Sequence, residues 1–462
     1  MRLSFETLMR VGISLFVWSG AAWGTVRGSA ASAQIVEPPR IKNGGSPNVK
    51  MLGHVPFDGR FSNGGVDIEQ ELSRPYVYVS GMTDDPGFWV VSVADPAKPK
   101  VIYHWHFPAS AQDQGLAGEN GRYFKLDGRY YYAKTVQFNK GSPHDSLGLI
   151  VFDVTGLPDP TKVKEVAHIG SIGARVVHVF PYKHSDGRVL LITTPTVGAY
   201  GQIYDARKLI SQGAQQALLA QVDIPPDVNI KQITRGFHDT YAQYDPATKQ
   251  DKLYGAGSGG FGVYDITKPE TPRFLFMMAP QHDLVTTGSH TVIVSPDSRY
   301  AVATVEQQYW PMFVFDLQPG LSGQSKVVQP IAAWTADWRD LPHLMAVRWP
   351  YVFVAAYEDG LQIVSLNDPK QPKTLGWYYT CVCEHQMGWG GSPTVPGTSV
   401  LNGAGDVDVR NADGLIVVTD YTTGLWTFRM DGFDGWNGRE FRMPNISKEQ
   451  DWDNGPAVAL RQ

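Results

Sequence analysis

Between residues 341 and 379 apolar and polar positions alternate in four short runs, 344–349, 351–357, 361–366 and 373–379. Trp349-Pro350, Glu358-Asp359-Gly360 and the stretch 367–372 separate them. A period of two broken by Gly, Pro, Asn and Asp predicts strands and turns, and no helical period competes with it. A single four-stranded antiparallel sheet of this kind leaves both apolar faces uncovered, so it needs copies of itself to stack on.

The third strand of that unit recurs along the chain. Gly or Pro followed by apolar alternation begins at Gly87, Gly148, Gly201, Gly260, Pro311, Gly360 and Gly424, at offsets of 61, 53, 59, 51, 49 and 64 residues. An X-Pro dipeptide follows several of these strands, as at Asp95-Pro96, Lys268-Pro269 and Asp368-Pro369. Seven four-stranded units at this period predict an all-β, seven-bladed β-propeller over residues 50–430, each blade covering its faces with two neighbours. Residues 406–430 supply only three strands of the last unit. The segment from Lys50 to Val55 matches the fourth strand beginning at Lys373 in its spacing, so the N-terminal strand is expected to complete the last blade and close the ring.

The 462-residue chain opens with a polar, Arg-flanked start, an apolar run over 11–23 and a small-x-small sequence at Ala31-Ser32-Ala33. Residues 1–33 therefore read as a secretory signal peptide, with an apolar run too short for a membrane span. Residues 34–49 are expected on the surface, and 431–462 as an irregular tail anchored by Trp436 and Trp452. A periplasmic or secreted protein follows. Removal of the leader takes the formal charge from −5 to −7, which argues against nucleic acid or anionic membranes as partners.

In a propeller the first strand of each blade lines the central channel. His178, His238, His290 and His343 head the first strands of four consecutive blades, 60, 52 and 53 residues apart. Asp67 heads blade one and Asp406 with Asp408 heads blade seven, while blade two offers nothing closer than Phe124 or Leu126. Four converging imidazoles on rigid strands suit a divalent metal, with iron or copper ahead of zinc. The competing use of such residues is hydrogen bonding between blades. Glu306 and Glu358 end second strands beside histidine-bearing first strands, where they could accept the other ring N–H of a ligand histidine. Ordinary solvated turn carboxylates are the alternative. Tyr309 and Trp310 share the loop of Glu306, and His144 occupies the matching loop of blade two. His282, Trp334 and Trp338 fall in loops read as entering first strands, giving a pocket over the channel mouth.

Between blades six and seven lies a long insertion, TCVCEHQMGWGGSPTVPGTSVLNGAGD. Cys381, Cys383, His385 and Met387 project to one side of an extended chain, a soft set that suits copper, although a disulfide or two buried thiols is favoured over metal. An insertion of this length is expected to cover the channel mouth. No nucleophile elbow or phosphate loop appears.

The segment from Gly360 to Leu366, the segment from Leu149 to Val154 and the Pro-containing turns after such strands resemble the LVIVD repeat of exported bacterial propellers. Ser92, Ser365 and Arg429 replace the repeat's usual Asp. At the level of fold, the four histidines are similar to those of carotenoid-cleaving oxygenases, seven-bladed propellers that hold iron on four channel histidines backed by glutamates. That likeness implies a metal on His178, His238, His290 and His343, with Glu306 and Glu358 behind them. The expected function is an exported Fe- or Cu-dependent oxidase or oxygenase acting on an apolar or aromatic small molecule, with Tyr309 among the reacting residues and His144, His282, Trp310, Trp334, Trp338 and His385 around the substrate. The alternative is a non-catalytic propeller that presents its loop face to a protein or glycan.

Overall fold

The computed structural model describes residues 44–438 and 451–456 apart from 58–62, 83–85, 111, 114, 117, 171–174, 197, 199, 225–235, 258, 280–288, 308, 339–340 and 384–401. The leader region, His282, His385, Met387 and most of the insertion and tail lie outside these residues.

Seven antiparallel sheets form the ring. Blade one runs Asn63–Ile68, Tyr76–Gly81, Gly87–Ser92 and Lys100–His106; blade two runs Gly121–Leu126, Arg129–Thr135, Leu147–Asp153 and Lys164–Gly170. Blades three to six repeat the order, starting at Val176–Lys183, Phe237–Asp245, Ser289–Val294 and Met345–Arg348. Blade seven contains Ala404–Val409, Ile416–Asp420 and Gly424–Met430, and its fourth strand is Val49–Val55 from the start of the chain. The pairs Val55 with Leu425, His54 with Trp426 and Met51 with Phe428 set that closure, which joins the start of the chain to its last blade in one sheet.

The apolar face of each blade disappears between its neighbours. One core of buried side chains spans blades three to six, a second blades one to three, and smaller ones join six to seven and seven to one. Near the axis, polar groups of one blade hold the backbone of the next. Asp67 accepts from Tyr123 N at 2.7 Å, Asp406 from Val66 N at 3.0 Å and Asp408 from Ile68 N at 3.1 Å. Arg122 reaches Asp406 at 3.1 Å and the Val66 carbonyl at 2.7 Å, while Arg348 joins Val409 O and Asp408. The three aspartates expected at blade heads instead sit within the first strands and are fasteners between blades six, seven, one and two.

Trp334 is placed differently from expectation. It ends the outermost strand of blade five, Pro330–Trp334, and its indole N–H donates to Thr374 Oγ1 of blade six at 3.0 Å. The sequence left this strand unrecognised because a helical turn, Gln318–Leu321, and the short strand Val327–Val328 on blade four intervene before it.

Candidate metal centre

A repeated irregularity aims the histidines at the channel. In blade three the pairing jumps from Val176–Pro195 to Val179–Thr193, and in blade four from Phe237–Gly257 to Asp239–Ala256. In blade five it jumps from Ser289–Val305 to Thr291–Thr304. His238 and His290 are the residues skipped in blades four and five, and in blade three His178 is skipped together with Val177. In blade six His343 N donates to Ala355 O while Ala355 N donates to Leu344 O, so two residues again face one. A bulge of this kind turns its extra side chain out of the ladder. Threonines of the preceding blade hold the bulges in place: Thr194 Oγ1 donates to His238 O, and Thr304 Oγ1 to His343 O, both at 2.9 Å.

Blades seven and one carry the same bulge with glycine in it. A Cβ on Gly405 would meet the Tyr421 ring at 2.9 Å, and one on Gly64 would meet Glu119 O at 2.3 Å. These glycines make room for Tyr421 and for the backbone of blade two. The head of blade two is Glu119-Asn120, with Thr135 N donating to Asn120 O at 3.0 Å, and not Phe124 or Leu126, which lie inside the strand and in the hydrophobic core.

All four histidines are buried and their rings form a run. Centroids lie 4.0 Å apart for His238 and His290 and 4.3 Å for His290 and His343; His178 stands 5.3 Å from His238 and 6.3 Å from His290. Glu306, directly after the second strand of blade five, points among them. One donor atom each of His238, His290 and Glu306 lies within 4.8 Å of the other two. Metal–ligand bonds of about 2.1 Å put ligand atoms roughly 3–4 Å apart, so small side-chain movements would close this set on an ion.

The two carboxylate oxygens of Glu306 have different surroundings. Oε2 faces His290 Nε2 at 3.3 Å. Oε1 accepts from the Tyr357 hydroxyl and faces His343 Nε2 at 3.3 Å. Glu119 Oε1 lies 3.6 Å from the same His343 nitrogen and accepts from Tyr421 at 3.0 Å. His343 Nδ1 donates to Gly405 O at 2.5 Å. Burial pushes the His343 imidazole down, but the hydrogen bond and charge of Glu306, with Glu119 and the Gly405 carbonyl, lift it to about 9. Burial, Glu306, Tyr421 and Glu119 hold the Tyr357 phenol far above its ordinary range. Tyr357 and Tyr421 stack at 5.7 Å, packed with Met82 and Leu341.

On the other side, His178 Nδ1 lies 3.1 Å from Asp239 Oδ1. Burial raises the Asp239 carboxyl, but the charge and hydrogen bond of His178, with Arg122 and the Thr240 N–H, outweigh this and hold it below its ordinary value. Beneath the histidine layer a small cavity is lined by Arg122, Asp239, Thr240, Thr291 and Met345 among others.

The remaining predicted residues are spread wider. Glu358 is buried in the turn after Tyr357. Tyr309 and Trp338 are both more than half exposed, with Tyr309 N donating to Trp338 O at 3.0 Å, and Tyr309 adopts φ 67°. Trp310 packs on the core beside Phe313. His144 Nδ1 pairs with Asp113 at 2.7 Å and sits edge-on to Phe107. Cys381 and Cys383 are joined as a disulfide.

Glu119, Tyr357 and Asp239 escaped sequence reasoning, whereas Tyr421, in the second-to-third-strand loop of blade seven, was expected on this face. Asp239 directly follows His238, and an acidic residue next to a blade-head histidine was the one available signal. No protein-family model and no curated protein matches this chain, so neither the repeat resemblance nor the oxygenase likeness gains support beyond the shared architecture.

Proposed function

We propose that this propeller is a metal-dependent oxidase or oxygenase, with iron or copper held by His238, His290 and Glu306, acting on an apolar or aromatic small molecule at the channel mouth. The observation that carries this reading is the approach of those three buried donor groups to within 4.8 Å of one another. Two imidazoles and one carboxylate that leave positions open suit non-haem iron, and copper is second. Such an ion would supply the redox chemistry of dioxygen. Glu306 would bind through Oε2, since Tyr357 and His343 already engage Oε1. His343 and Glu119 would balance charge around the set, and the blade walls would exclude water. Export is part of the proposal and rests on the leader pattern of residues 1–33, with the disulfide in keeping.

The test is metal analysis of purified full chain. About one Fe or Cu per chain, lost in His238→Ala and His290→Ala, supports the centre. Metal-free protein whose histidine variants fold normally supports the second reading, a binding propeller. That reading is favoured by one observation, the exposed pair of Tyr309, on the Glu306 loop, and Trp338, on the connection from blade five to blade six, to which a glycan or protein would dock.

A further inference from the structure

The chain has 2 cysteines, and Cys381 and Cys383 are joined to each other across a single residue, Val382. They lie just past the fourth strand of blade six, Lys373–Tyr379, and that strand end is held without them. Tyr379 pairs with Gly44, Thr380 Oγ1 donates to Asp420 Oδ2 of blade seven at 2.6 Å, and Thr423 Oγ1 donates to Thr380 O at 3.1 Å. A disulfide stabilises a fold chiefly through the length of loop it closes, and this one closes over one residue only, so it contributes little to the ring. Its two sulfurs also differ in access. Cys381 is buried, 9% exposed, while Cys383 is half-buried and Val382 between them is 85% exposed. A disulfide that braces little and shows one sulfur to solvent has the features of an exchangeable one.

We infer that Cys381 and Cys383 form a redox-active pair that exchanges with small-molecule thiols through Cys383. An incoming thiolate bonds to Cys383 Sγ and breaks the bond to Cys381, whose Sγ leaves with the electron pair and takes up a proton. A second thiolate attacks the sulfur of the first thiol and frees Cys383, which is protonated in turn. The balance is two small thiols oxidised to one disulfide and the protein disulfide reduced to two thiols. In reverse, Cys383 attacks a small disulfide and the buried Cys381 resolves the mixed disulfide. The order follows from access, since exchange depends on which sulfur the thiolate can reach. None of the donors assigned to the metal takes part, so this pair stands independently of that reading.

The experiment treats the full chain with glutathione and then with glutathione disulfide, with and without a metal chelator, and counts thiols by alkylation and intact mass. With 2 cysteines in the chain, every thiol belongs to this pair. Millimolar glutathione should reduce the pair in the folded protein and glutathione disulfide should restore it, with the unfolding midpoint moved by no more than about 2 °C. Acid-trapped mixed disulfide in wild type should map to Cys383, and Cys381→Ser should form it about tenfold faster than Cys383→Ser. A pair that stays oxidised until urea unfolds the chain overturns the inference and makes the disulfide a brace. So does a pair that glutathione disulfide fails to oxidise, or a mixed disulfide that maps to Cys381 or forms equally fast in the two variants. Reoxidation that stops under chelator also overturns it, by assigning the exchange to a bound metal. Metal content itself bears on the proposed centre alone, so the two readings fail separately.

Discussion

The Tyr357 hydroxyl donates to Oε1 of Glu306, so a tyrosine from blade six orients the carboxylate that blade five sends toward His238 and His290. Tyr357 adopts a left-handed backbone, φ 42°, at the turn that makes this contact. A non-glycine residue pays strain for that conformation, and the hydrogen bond gives it a local reason to persist.

Tyr357→Phe removes the brace and keeps the ring. Metal affinity should fall about 10–100-fold, the usual effect of losing a partner behind a ligand, with the unfolding midpoint of the metal-free protein little changed. Competition against a chelator measures it; unchanged affinity would show that Glu306 needs no such support.

Asp406→Ala should destabilise the ring strongly. It leaves Arg122 buried without its nearest carboxylate and Val66 N without its acceptor, for a loss of about 3–5 kcal/mol. Urea unfolding would check this, and a loss under 1 kcal/mol would mean that Asp67 and Asp408 take over the contact.

Gly424 adopts φ 102°, and a Cβ there would lie 2.1 Å from Val55 O in the closing strand. Gly424→Ala should therefore cost roughly 2 kcal/mol or more and speed amide exchange in Val49–Val55 ahead of the other blades. Uniform exchange across the ring would contradict a closure that depends on this contact.

Lys134, buried in blade two, donates to Gly118 O at 2.5 Å. Burial pushes its ammonium down to about 7 against the partial opposition of Glu119. Between pH 7 and about 10.5 the unfolded chain holds a proton there that the folded chain has released, so stability rises with pH through that window and is lowest below it. Relative to Lys134→Met, wild type should gain up to about 1.4 kcal/mol per pH unit from pH 7 to 10. Parallel pH profiles would place the Lys134 ammonium near its ordinary value.

Much of this was legible in the chain because a propeller writes itself repeatedly. Each strand alternates with a period of two, and each blade needs the same turns, so seven copies agree where one would be ambiguous. The closing strand was visible as a spare fourth strand, from the match of residues 50–55 with 373–378. His178, His238, His290 and His343 stood out for the same reason, one per blade at one register. Blade two failed this reading because its head is Glu119-Asn120, which shares the position without the residue type. Trp334 failed because inserted structure displaced the outer strand of blade five.

The amino-acid sequence alone determined the strand period, the blade count, the ring closure and the row of four blade-head histidines. All of these are local patterns repeated along the chain. The tertiary structure decided that three donor groups come together, that Tyr357 and Tyr421 hold Glu306 and Glu119, and that Asp239 orients His178. Those contacts form across blades, between residues up to about 300 positions apart, where small bulges and the absence of side chains at Gly64 and Gly405 set which groups meet. Such distances depend on how wedges close around an axis, and no spacing along a single strand records that.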